Sequence, residues 1–98
     1  MKINDICKYL GDPYTIKNID QSPSIYRKIN EDYEFEITGF GGNNPFTIYL
    51  WQINPHQELL VVYTNIKDKQ DLKDLLGYWS SVVQDIPSRI RVEREDWK

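Results

Sequence analysis

The side chains able to do covalent or metal chemistry are few. His56 is the only histidine and Cys7 the only cysteine, so a cysteine-based metal cluster is excluded and His56 has no second histidine with which to share an ion. His56 falls in the turn Asn54-Pro55-His56-Gln57, where the sequence offers it no evident carboxylate partner. Cys7 falls on an apolar helical stripe, where a thiol behaves as a small hydrophobe rather than a nucleophile. Ser80 and Ser81 lie inside a long helical pattern and not at the strained strand-to-helix turn that exposes a hydrolase serine. Gly39-Phe40-Gly41-Gly42-Asn43-Asn44 looks like a phosphate cradle, but the cradle requires a helix amino terminus after it and here a strand pattern follows. Paired carboxylates are plentiful, yet acid-base catalysis needs environments that push their pKa values apart, and a solvated hairpin supplies none. The expectation is a protein with no catalytic residues, no metal and no cofactor.

Charge is the stronger signal. The 98 residues carry 15 acidic and 12 basic side chains, a net charge of −3, which excludes a broadly basic nucleic-acid binder. The excess is local: residues 31–60 hold five acids and no basic group, and Glu31, Asp32, Glu34 and Glu36 fall within six residues. At the other end Arg89, Arg91, Arg94 and Lys98 are interleaved with Glu93, Glu95 and Asp96, a mixed solvated pattern rather than a phosphate-contacting strip. No direct nucleic-acid contact is expected.

These residues must be carried by a fold of one domain, residues 1–98, with 40% hydrophobic and 13% aromatic side chains to form its core. Ile3, Ile6, Cys7 and Leu10 recur at helical spacing up to Gly11, where Asp12-Pro13 stops the pattern. Tyr14–Ile19 and Ser24–Ile29 read as strands on either side of a Gln21-Ser22-Pro23 loop. After the turn Asn30-Glu31-Asp32, the apolar Tyr33, Phe35 and Ile37 alternate with Glu34, Glu36 and Thr38, which puts the acids on one side of a hairpin. Phe46–Ile53 places Phe46, Ile48 and Leu50 on one face and Tyr49, Trp51 and Ile53 on the other. Leu59–Tyr63 is also apolar on both faces, and this last pair is expected at the sheet centre. Leu72, Leu75, Leu76, Trp79, Val82, Val83 and Ile86 mark a helix of about four to five turns, capped by Asp68 and stopped by Pro87. Arg89–Glu93 alternates once more and suggests a further edge strand or a tail. The fold class is α+β: an antiparallel sheet of five or six strands, a short N-terminal helix and one long C-terminal helix packed on it.

One sheet face is then covered by the long helix, and the short helix must cover the other or leave it partly open. Tyr26, Tyr49, Trp51 and Tyr63 are the aromatics that such an opening would expose. Aromatic contact area beside acids suits a protein partner with a basic surface.

The first 40 residues add a resemblance. Met1-x-Ile3-Asn4-Asp5-Ile6, Tyr14-Thr15-Ile16-Lys17, Ser22-x-Ser24-Ile25 and Ile29-Asn30-x-Asp32 followed by Glu34-Phe35-x-Ile37 resemble, in order and spacing, the small anti-CRISPR inhibitors of type II-A Cas9 carried by Listeria prophages. The resemblance implies a helix followed by a three-stranded antiparallel sheet, and action by acidic side chains that mimic DNA at the site where Cas9 reads its target-adjacent motif. It implies contact roles for Asp12, Asp32 and Glu34. It has no counterpart after residue 40, where this chain adds two apolar strands.

The combined expectation is a phage- or mobile-element-encoded protein-binding inhibitor that uses Asp12, Glu31, Asp32, Glu34, Glu36, Tyr49 and Trp51 against a basic protein, a Cas9-like nuclease or a toxin. An immunity protein or antitoxin, and a homo-oligomerising structural domain, are the alternatives; the chain itself is expected as monomer or homodimer. The acidic start, Met1-Lys2-Ile3-Asn4-Asp5, and the lack of a long apolar run give a cytoplasmic location with no membrane as the expectation.

Overall fold

The computed structural model describes residues 2–19, 22–40 and 45–96, and of residues 19, 22 and 85–96 the backbone alone. The order is α1 (Ile3–Leu10), β1 (Thr15–Ile19), β2 (Ser22–Lys28), β3 (Tyr33–Thr38), β4 (Phe46–Gln52), β5 (Glu58–Ile66) and α2 (Lys69–Asp96). The strands form one antiparallel five-stranded sheet in sequence order, β1-β2-β3-β4-β5. Consecutive hairpins suffice for this topology because each antiparallel pair needs only a short connection.

Local chemistry sets each boundary. α1 ends at Gly11, whose φ of +78° suits a residue without Cβ and whose N–H donates to the Cys7 carbonyl at 3.0 Å. The β2–β3 turn is held by Asn30, whose Oδ1 accepts from the N–H groups of Asp32 (2.8 Å) and Tyr33 (3.1 Å). Asp68 caps α2 as its sequence position suggests, accepting at Oδ1 from the Gln70 N–H at 2.9 Å.

The strand alternation of β3 and β4 sorts the two faces. Tyr33, Phe35, Ile37, Phe46, Ile48 and Leu50 are buried on the inner face, joined there by Ile25 of β2. Ile6 and Leu10 of α1 and Leu72, Leu76 and Val83 of α2 belong to the same buried cluster. Both helices therefore lie on one side of the sheet. They also touch each other: the Tyr9 hydroxyl donates to Gln70 Oε1 at 2.8 Å, and Lys69 and Lys73 place their ammonium groups 4.8 and 5.0 Å from the Tyr9 ring centre.

Four expectations are corrected. The sheet centre is β3, not the β4–β5 pair: β5 is an edge, and its exposed Leu59, Leu60 and Val62 gave it a sequence pattern like that of a two-sided buried strand. β2 begins at Ser22 rather than Ser24, because Ile19 and Asn18 pair with Ser22 and Pro23 and draw the expected loop into the ladder. Pro87 does not stop α2, which runs through it to Asp96. Proline's fixed φ lies in the helical range, so the backbone continues there with the loss of the one bond its absent N–H would make. The Arg89–Glu93 alternation is accordingly helical and adds no sixth strand. The expected Gly41-Gly42-Asn43-Asn44 break and the final Trp97-Lys98 lie outside the described residues.

β5 accommodates two irregularities against β4. Leu60 is extra between the pairs Leu50↔Val61 and Trp51↔Leu59, and Thr64 and Asn65 together oppose Thr47. Asn65 takes a φ of +60° at the second, a conformation that asparagine adopts more readily than other side chains.

Two glycines give opposite predictions. Gly39 has φ +102°, and an added Cβ would collide with the Pro45 carbonyl oxygen, whereas one at Gly77 inside α2 meets nothing within 4 Å. Urea unfolding should show Gly39→Ala destabilised by about 1–3 kcal/mol and Gly77→Ala stabilised by about 0.5–1 kcal/mol. Equal effects would contradict the turn geometry at Gly39.

Candidate functional site on the open sheet face

The register builds the outer face row by row. Thr15, Tyr26, Glu36, Tyr49 and Val62 are successive cross-strand partners from β1 to β5, and Lys28, Glu34, Trp51 and Leu59 form the adjoining row. Directly opposed residues share a face, so both rows lie on the side away from the helices. Tyr26, Glu34, Glu36, Tyr49 and Trp51 are half-buried among one another, while Leu59 and Val62 are exposed.

Aromatic side chains flank the two acids. The Trp51 indole N–H donates to Glu36 Oε1 at 3.2 Å. Tyr26 stands beside the two acids, and its pKa is pushed up to about 12, first by burial and then by the charges of Glu34 and Glu36. Lys17 Nζ sits 4.4 Å from the centre of the Tyr26 ring. A carboxylate offers about four acceptor positions, so the indole donor fixes the direction of Glu36 and leaves it able to accept more.

Of the residues singled out by the sequence, Glu34, Glu36, Tyr49 and Trp51 come together here. Glu31 and Asp32 stand in the β2–β3 turn at the end of the face, fastened to the β4–β5 turn by Asn54 Nδ2 to the Glu31 carbonyl (2.6 Å) and the Ile53 N–H to the Asp32 carbonyl (2.6 Å). Asp12 does not join them. It lies in the α1–β1 turn with Asn4, Cys7 and Lys8 around a cavity between helix and edge strand. Tyr63 points inward instead of outward, its hydroxyl accepting from the Trp79 indole N–H at 3.0 Å. Tyr26, expected among the aromatics of an open face, is central to it: the pairing of two hairpins puts it opposite Glu36.

The chemical candidates occupy other places. Cys7 Sγ is half-buried and donates to the Tyr14 carbonyl at 3.4 Å, and burial, with the charge of Asp12, raises its pKa away from the thiolate. Ser80 is buried with Oγ donating to the Gly77 carbonyl at 3.1 Å. His56 does have a carboxylate nearby, Glu58 at 3.7 Å, but both side chains are well exposed and screened. Among the described residues no group of three or more His, Cys, Asp or Glu is placed to hold a metal.

Compared with family models, curated proteins and solved structures, the chain matches none. Its function must be read from the face itself. No helix among the described residues is long and apolar enough to cross a membrane.

Tyr26 supplies a titration test. Its folded pKa of about 12 lies above the ordinary 10.0, so the neutral phenol stabilises the native state below pH 10 and that contribution is lost as the pH rises from 10 through 12. Ultraviolet difference absorbance should show Tyr26 among the late-ionising phenols, with Tyr14, whose pKa burial also raises, and Tyr26→Phe should remove one of them and reduce the fall in stability over the same window. An unchanged titration would contradict the placement of Tyr26 beside the two acids.

Proposed function

We propose that the protein is a non-enzymatic inhibitor that binds a basic surface on another protein through its open sheet face. Glu34 and Glu36, set among Tyr26, Tyr49 and Trp51 on a face away from both helices, carry the reading. A partner arginine would be met by a carboxylate that accepts its forked N–H groups and by an aromatic ring against which its plane stacks. The face already receives one cation in this manner, Lys17 over Tyr26. The aromatic rings add contact area at small entropic cost, and the acids guide the encounter.

A surface with arginines spaced to meet paired carboxylates is the kind that proteins use to hold nucleic-acid phosphates and guanine edges. The partner proposed is therefore a nucleic-acid-binding effector of the host cytoplasm. The resemblance of residues 1–40 names a Cas9-type nuclease as the first to try, with Glu31 and Asp32 extending the acidic edge. Asp12, on the helix side, is left out of this contact.

The test is charge reversal. Glu34→Lys combined with Glu36→Lys should weaken binding to the effector by orders of magnitude while the thermal unfolding curve still shows a folded domain. The wild-type association rate should fall as salt is raised past the physiological range. Undiminished affinity in the double variant would remove the acidic face from the mechanism. A toxin bound through the same residues, with no affinity for the nuclease, would select the immunity-protein alternative.

A further inference from the structure

Lys17 stands at the middle of β1 with Ser24 as its cross-strand partner, so it lies on the outer face one row from Tyr26. Ser24 is small and offers the ammonium no counter-charge, whereas Lys28, at the end of β2, is set directly opposite Glu34. Among the described residues Lys17 forms no ion pair with a carboxylate. Its Nζ is instead 4.4 Å from the centre of the Tyr26 ring, within the range in which the negative face of an aromatic ring attracts a cation. Glu36, the cross-strand partner of Tyr26, and Glu34 are left to other cations.

We propose that Lys17 is an internal stand-in for the partner's cation: its ammonium occupies the Tyr26 ring in the free protein, and an incoming arginine must displace it before stacking there. The proposal rests on the outer face being the binding surface and concerns how that surface is guarded. The occupant is suited to release. Lys17 is exposed and reaches the ring on a flexible four-carbon stem from a sheet edge. A cation over a ring at an exposed site is favoured by only about two- to fivefold in equilibrium.

Displacement discriminates between partners. A lysine would exchange one ammonium on the ring for another, so Lys17 cancels the ring's contribution to its binding. An arginine lays its plane on the ring while the edge of the same group donates to a carboxylate, and Glu36 stands directly across from Tyr26 to accept. Only part of that gain is lost to Lys17. The face is thereby biased toward arginine-bearing partners.

Nuclear magnetic resonance of the full chain, titrated with a capped Arg-Gly-Arg peptide, tests the displacement. In the free protein the ring current of Tyr26 should shift the Lys17 ε-methylene protons upfield, and Tyr26→Leu should abolish the shift. Added peptide should return those protons toward their ordinary position. Lys17→Met should bind the peptide at least about twofold more tightly than wild type, and Lys17→Arg, which keeps the charge but stacks more firmly on the ring, should bind it more weakly. An unshifted Lys17 in the free protein, peptide binding that leaves its signals unmoved, or a Lys17→Arg variant that binds as well as wild type would each overturn the proposal and leave the face as the binding surface. Peptide bound by neither wild type nor Lys17→Met would overturn the face as a binding surface for arginine, and the role of Lys17 with it.

Discussion

Ile25, Phe35, Ile37, Ile48 and Leu50 are fully buried because two helices from opposite ends of the chain converge on the same side of the sheet. Each such side chain contributes about 1.5–3 kcal/mol by leaving water, and the burial is shared: Ile6 and Leu10 of α1 meet the cluster that holds Leu72, Leu76 and Val83 of α2. A sheet has two faces, and with both helices on one side the other is left to side chains that tolerate water. Glutamate, tyrosine, tryptophan and lysine do so, since each has an apolar body with a polar end. The outer face is thus the complement of the core, written by the same alternation along β3 and β4.

That constraint explains the electrostatics of the face. Glu34 and Glu36 lie two residues apart on one strand, where they repel, and aromatic side chains from both neighbouring strands stand beside them. Trp51 from β4 directs its indole hydrogen at Glu36, Tyr26 from β2 lies beside both acids, and Lys17 sits over the Tyr26 ring. The arrangement leaves a negative centre rimmed by rings rather than a neutralised pair, which suits an arginine-bearing partner. Away from this face, burial raises the pKa of Cys7, the single thiol.

Much of this was legible in the residues. The alternation Tyr33-Glu34-Phe35-Glu36-Ile37 gave the faces of β3, and Phe46–Trp51 gave those of β4, so Glu34, Glu36, Tyr49 and Trp51 were found from spacing alone. The spacing of Ile3, Ile6 and Leu10, with Gly11 after them, gave α1. Long-range arrangement was less accessible. Leu59, Leu60 and Val62 have the same residue types at an exposed edge as they would have in a buried centre, and only the strand order separates the two. Pro87 carries a strong stop signal, but its φ is compatible with a helix and α2 absorbs the missing bond. The place of Tyr26 opposite Glu36 depends on strand pairing that spacing along one strand does not give, and Asp12 lies on another side from the acids with which its charge groups it.

The claim beneath the functional reading is that the Tyr26–Glu36–Tyr49–Val62 row is open to solvent while the helix-facing row is sealed. Nuclear magnetic resonance with a soluble paramagnetic probe measures this directly, residue by residue. The account predicts strong broadening of the side-chain signals of Tyr26, Tyr49, Trp51 and Val62, with those of Ile25, Phe35, Ile37, Ile48 and Leu50 unaffected. Equal protection of the two rows, in a sample shown to be monomeric, would mean that a second layer covers the outer face and would contradict it.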